Sequence, residues 1–208
     1  MTIATYTAAW VPDNDAERSW DEAAEMAAAW LLERARALRS QPLLVTPTQQ
    51  QWQQGPDVIR RIAHIYEATT NRSRGAQFRQ RPVLAYVPDY GDMNLAASCA
   101  RNSALAVVES QTTPLIGWAM EVQALDLTTG ATTPDSRTPE QRHELDRIHG
   151  YGNNGWTRGF GADRSASILS GLLRQDGIDV DIVVGCMVAR GHDARSVARL
   201  TKIIENLR

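Results

Sequence analysis

Lysine is all but missing from this chain. Of its 22 basic residues 21 are arginine, and the one lysine, Lys202, stands close to the end of the sequence. That scarcity excludes mechanisms. No GxxxxGK[ST] loop exists, so a Walker-type phosphate cradle with its lysine is ruled out. Schiff-base chemistry requires an amine that burial can deprotonate, and a single candidate is left. Alanine is abundant as well, so a codon-level preference for arginine explains the skew without invoking function. Cysteine is nearly as scarce. Cys99 and Cys186 fall in expected regular elements with no metal-ligand spacing, which points to a reduced, cytoplasmic protein. No run of about 18 apolar residues occurs, so no membrane-spanning helix is expected. The opening residues MTIATYTAAW lack the basic start and apolar core of a signal peptide. A formal charge of −2 gives no general attraction to nucleic acid or anionic membranes.

What is present is the composition of a globular domain, 43% hydrophobic with 14 Gly and 9 Pro. One α/β domain over 1–208 is expected, with a basic connection at 71–82 and an insert at 131–164 that carries a glycine-rich loop. Residues 3–9 read as a strand. Residues 16–39 read as a helix, because Trp20, Ala24, Ala27, Leu31, Ala35 and Leu38 follow the 3.6-residue period. Leu43-Leu44-Val45 is a short apolar run, QQQWQQ a polar stretch, and Pro56 opens a second helix. VLAYV (83–87), MNLAASCAR and ALAVVE (104–109) form a compact strand–helix–strand unit, its apolar strands buried on both faces. The run 115–127 is expected to hold a strand ending near Asp126. Thr138 caps a helix with Pro139 in its first turn. GYGNNGWTRGFG (150–161) reads as a loop, SASILSGLLRQ (165–175) as a helix, DVDIVVGCMVA (179–189) as a strand, and the last residues as an amphipathic helix.

This alternation specifies a single three-layer, Rossmann-like α/β sandwich with a mostly parallel central sheet. Ligands of such sheets bind at the carboxyl ends of the strands. The expected strand-end segments are Thr46-Pro47-Thr48, residues 88–92, Glu109-Ser110-Gln111, residues 126–132 and residues 190–193. Their acids, hydroxyls and glycines suit a polar cleft, although strand-to-helix turns use the same residues for capping. Asp89, Glu109 and Asp126 are the catalytic candidates, and Asp92 joins them as a ligand-binding acid. These acids could supply general-base, ribose-binding or Mg2+-binding groups, and no other cofactor is indicated.

ALDLTTGATT (124–133) is the most informative segment. Backbone N–H groups and threonine hydroxyls in such a turn can cradle a phosphate. A carboxylate beside them can hold ribose hydroxyls or magnesium. On these residues, together with 83–109 and 168–190, the chain resembles the type I phosphoribosyltransferases. Leu125 stands where that family has its first acid, and about 30 residues separate Thr133 from the next matching helix. The resemblance implies that Asp126 contacts the ribose, and that Thr128, Thr129, Gly130 and Thr132 hold the 5′-phosphate.

In the glycine-rich loop Arg158 and Arg164 are available for bidentate contact with an anion, and Trp156 for stacking on a base. His143, Asp146 and His149 recur every third residue on a helix, but the outer two diverge by about 120°, so they read as a solvated face and no metal site is assigned. His64 and His192 read as structural, His192 at the cleft edge. The expected function is binding of a phosphorylated nucleotide-like or sugar-phosphate ligand, as a transferase or hydrolase. The alternative is a non-catalytic nucleotide sensor or a protein-interaction or assembly subunit on the same frame. The partner is a phosphorylated small molecule or nucleotide, not a membrane or nucleic acid, and a homo-oligomer is compatible with the sequence.

Overall fold

A computed structural model describes residues 5–71, 79–174 and 177–207. It is an α/β sandwich built on a seven-stranded sheet. In chain order the strands are β1 (Thr7–Val11), β2 (Leu43–Val45), β3 (Glu67–Thr69), β4 (Val83–Tyr86), β5 (Ala104–Val108), β6 (Leu125–Asp126) and β7 (Ala131–Thr132). Across the sheet they run β3-β2-β4-β5-β1-β6-β7. All neighbouring pairs are parallel except β6 with β7.

Strand side chains alternate between two cores. Ala9, Val11, Leu44, Leu84 and Val108 face α1 (Trp20–Ala37) and α3 (Asp57–Ile65). Ala8, Trp10, Leu43, Val45, Val83 and Val107 face the opposite layer. That layer contains α4 (Tyr90–Cys99), α5 (Ile116–Glu121), α6 (Pro139–Tyr151), α7 (Phe160–Arg174), α8 (Val180–Ala189) and α9 (Ala194–Glu205). Period-two alternation buries both faces, so the strands read as unbroken apolar runs.

Helix α1 starts at Trp20 rather than at 16, because Ser19 and Glu22 close a reciprocal capping box. The predicted cap at Thr138 is present on α6. QQQWQQ forms a short helix, α2 (Gln49–Gln54). Run 115–127 holds both α5 and the short strand β6. The glycine-rich loop is more ordered than expected. Helix α6 extends to Tyr151, a 3₁₀ turn covers Gly152–Asn154, and α7 begins at Phe160. Of the basic connection, residues 72–78 lie outside the described residues.

The main correction concerns 179–189, which is helix α8 and not a strand. Asp179 caps it by accepting the Asp181 N–H at 3.0 Å. Every residue from Val183 to Val188 is buried, so the segment is apolar all round and carries no period to separate helix from strand. Residues 190–193 therefore join two helices and do not leave a strand end.

Candidate functional site

Crossover direction decides where a parallel sheet opens. The chain leaves β1 and β2 onto the face covered by α1, α2 and α3, whereas it leaves β4 and β5 onto the face of α4 and α5. Neighbouring strands thus send their chains to opposite faces at two places, between β2 and β4 and between β5 and β1. Such switch points are where open α/β sheets form ligand crevices.

The β5/β1 switch is filled. Glu109 is only 8% exposed, and its carboxylate accepts the Asp13 N–H at 2.9 Å and the Leu115 N–H at 2.5 Å. It therefore braces the segments that follow β1 and precede α5. Burial pushes its carboxyl above the ordinary range, with the two N–H groups acting against that rise.

The β2/β4 switch is open. A cleft of about 670 Å³ lies there, walled by Pro47 and Thr48 after β2, Tyr86, Val87 and Asp89 at β4, and Ser110, Thr112 and Thr113 after β5. Trp20 and the α2 glutamines Gln50, Gln51 and Gln54 complete it. Trp20 is half exposed and meets Tyr86 edge-to-face with centroids 6.5 Å apart. Burial, with Asp21 nearby, raises the Tyr86 hydroxyl to about 12, so it stays a neutral donor. Val87 adopts φ +44°, the left-handed region that a β-branched residue enters only under strain. Its N–H donates to Val108 O at 3.0 Å, which ties the strained exit of β4 to β5. Strain of this kind collects at ligand sites.

Asp89 caps α4, its Oδ1 accepting the Asp92 N–H at 2.7 Å while Asp92 Oδ2 accepts the Asp89 N–H at 3.1 Å. Asp92 has no exposed surface, and burial raises its carboxyl to about 6, the Asp89 charge adding to the rise. Asp89 and Asp92 thus follow β4 and Glu109 follows the neighbouring β5, and of the three Asp89 lines the open crevice.

The other candidates lie elsewhere. Asp126 to Thr132 forms the β6–β7 hairpin, three strand positions from β4, about 14 Å at the usual strand spacing. There Asp126 Oδ1 accepts from the N–H and hydroxyl of Thr128 at 2.8 and 2.7 Å, and Gly130 N–H closes the turn on Asp126 O. Thr129, Gly130 and Thr132 are exposed and line no part of the cleft. Trp156 is buried in the helical layer, donating to Ser165 Oγ at 3.0 Å and packing on the His192 ring. Arg158 is exposed, and Arg164 stacks over Phe160. His192 lies on the connection between helices α8 and α9, where its carbonyl accepts from Asn94 Nδ2 of α4 at 3.1 Å.

Sequence reasoning missed Trp20, Tyr86 and the glutamines. The signal for the glutamines was available: QQQWQQ has neither a charge nor an apolar face to explain its helix. Among the described residues no group of three or more His, Cys, Asp or Glu could hold a metal ion, and no helix is long and apolar enough to cross a membrane. Comparison of the chain with protein-family models, with curated proteins and with solved structures gives no match in any of the three.

Proposed function

We propose that the chain binds a small polyhydroxylated molecule, a nucleoside or sugar, in the β2/β4 crevice. The observation that supports this reading most is the chemistry of the crevice walls. They combine an exposed aromatic face, three primary amides, several hydroxyls and one carboxylate at a topological switch point. An aromatic edge pair offers stacking area. Amides and hydroxyls offer paired donors and acceptors, and Asp89 is placed to accept from a diol.

No arginine or lysine among the described residues lines this crevice, so its walls favour a neutral ligand over a phosphate group. The role is binding, the sensor alternative, more than transferase or hydrolase chemistry. Both Asp89 and Glu109 spend carboxylate oxygens on backbone N–H groups, and no histidine stands beside Asp89 in the crevice to form an acid–base pair.

Thermal shift against nucleosides, nucleotides, free sugars and sugar phosphates, with and without Mg2+, tests the reading. A ligand at about 100 times its Kd should stabilise the fold by ~2.7 kcal/mol. Trp20→Ala and Asp89→Asn should each weaken that ligand about tenfold or more, the asparagine preserving the helix cap. Silence across the panel, or full binding by Trp20→Ala, rejects it.

A further inference from the structure

A second pocket, of about 470 Å³, opens on the helical layer. Its walls are His149 of α6, the turn Gly152–Gly155, the α8–α9 connection 190–193, and Ser196 and Arg199 of α9. The two histidines touch: His149 Nδ1 and His192 Nε2 are 2.8 Å apart, so one ring donates to the other. Trp156 packs against His192 with ring centroids 4.3 Å apart and planes tilted by 42°. Gly152 permits that contact, because a Cβ there would meet the Trp156 ring and lie 2.8 Å from the His192 ring. Gly155, at φ +68°, lets α9 close in; a Cβ would strike Ser196 and Arg199.

Arg190 is the enclosed cation of this pocket. Its side chain is only 9% exposed. Nε donates to Glu121 at 2.8 Å and Nη2 pairs with Asp146 at 2.8 Å, but Nη1 is enclosed with no partner among the described residues. A buried guanidinium N–H without an acceptor is costly, and Arg190 lines the pocket, so an acceptor brought against this side chain is favoured. The acids nearby do not supply one. Glu121 and Asp146 are taken up by the other Arg190 nitrogens, and both Asp193 oxygens accept from Ser196, at 2.9 and 3.0 Å. Arg199 donates to Gly155 O at 2.5 Å and to Ser196 Oγ at 3.2 Å, which holds a second guanidinium at the rim.

We propose that this pocket binds a phosphate-sized oxyanion, held by Arg190, Arg199 and the outward nitrogens of the His149–His192 pair. A neutral pair presents one outward N–H and one outward lone pair, whichever ring donates inward. One added proton turns both outward nitrogens into donors. Burial holds both imidazoles below their ordinary range, His192 at about 4. Arg190 adds to the depression of both, and His149 to that of His192, while Asp146 and Glu121 oppose it at His149 and Asp193 at His192. An anion reverses that balance, so binding draws in a proton and tightens as the solution is made mildly acidic.

Calorimetry with inorganic sulfate, whose charge is constant over neutral and mildly acidic pH, tests this in two buffers of different ionisation enthalpy. Sulfate should bind with net proton uptake, and more tightly at the lower pH. Arg199→Gln and His149→Gln should each weaken it about tenfold, with nitrogen chemical shifts of His149 and His192 moving on titration of the native protein. Inorganic phosphate and a simple phosphate monoester then separate a free-ion site from one that reads an attached organic group. Absence of binding, binding without proton uptake, or affinity untouched in both variants overturns the proposal. So does a histidine shift produced by Zn2+ and not by sulfate. Trp20→Ala, which disables the strand-end crevice, should leave sulfate binding unchanged, so the two proposals fail separately.

Discussion

At the residue scale the two most constrained acids respond to pH in opposite directions. Asp92 is fully buried and has one oxygen without a partner among the described residues. Burial lifts its folded-state value from 3.8 to about 6. Its contribution to stability is therefore complete below the unfolded value and is lost as pH rises through that interval. Asp92→Asn should accordingly be more stable than the native protein near neutrality, by up to ~3 kcal/mol for a shift of this size, and the gap should close in acid. Urea titrations of both proteins across pH check this; a gap independent of pH would refute it. Glu121 behaves oppositely. Burial raises its carboxyl, but Arg137 at 2.5 Å and Arg190 at 2.8 Å outweigh that and hold it below the ordinary range. Its stabilisation is present at neutral pH and lost on acidification. Arg137 also holds Asp135 at 2.7 Å and is itself 5% exposed. Arg137→Met, which leaves Glu121 with Arg190 and Asp135 with Arg142 as their remaining arginine partners, should cost about 1–3 kcal/mol in denaturant unfolding.

At the element scale α8 is seated by two glycines. A Cβ on Gly185 would lie 2.6 Å from Trp118 N and 3.0 Å from Gly117 Cα, and both are backbone atoms that cannot swing aside. Gly185→Ala should force α5 and α8 apart and destabilise by about 1–3 kcal/mol or more. Gly171 is also helical, in α7, but a Cβ there meets nothing within 4 Å. Gly171→Ala should stabilise by roughly 0.4–1 kcal/mol through the unfolded chain. The same substitution with opposite signs in two helices is read directly from their melting temperatures. Legibility differs in the same way. Helix α6 was readable from Thr138, Pro139 and its charged face, whereas α8 was not, because a segment buried on every side has lost the polar face that marks its period.

At the scale of the whole molecule the sheet couples two cores. Leu43 faces the layer of α4 to α9, and Leu44 faces α1 and α3. Both are fully buried, and consecutive residues of one strand cannot move independently. Leu43→Ala and Leu44→Ala should each cost about 2–5 kcal/mol while leaving a single transition with an unchanged denaturant slope. Two separable transitions in either variant would show that the layers melt apart. The two pockets differ in the same global sense. The β2/β4 crevice follows from strand order and crossover direction, while the Arg190 pocket follows from helix packing alone.

The amino-acid sequence by itself determined the α/β class, the mostly parallel sheet, the cap at Thr138, and the polar strand-end residues Thr48, Asp89 and Ser110. These rest on local spacing, which each segment carries within itself. The scarcity of lysine likewise left arginine, threonine hydroxyls and backbone N–H groups as the means of holding an anion. Strand order was decided only in the tertiary structure. It opened the β2/β4 switch, filled the β5/β1 switch with Glu109, and set Asp126 on a distant hairpin. Packing of α6, α8 and α9 brought His149 and His192, 43 residues apart, into contact. Neither outcome has a local signature, because sequence period specifies which face of an element is buried and not which element covers it.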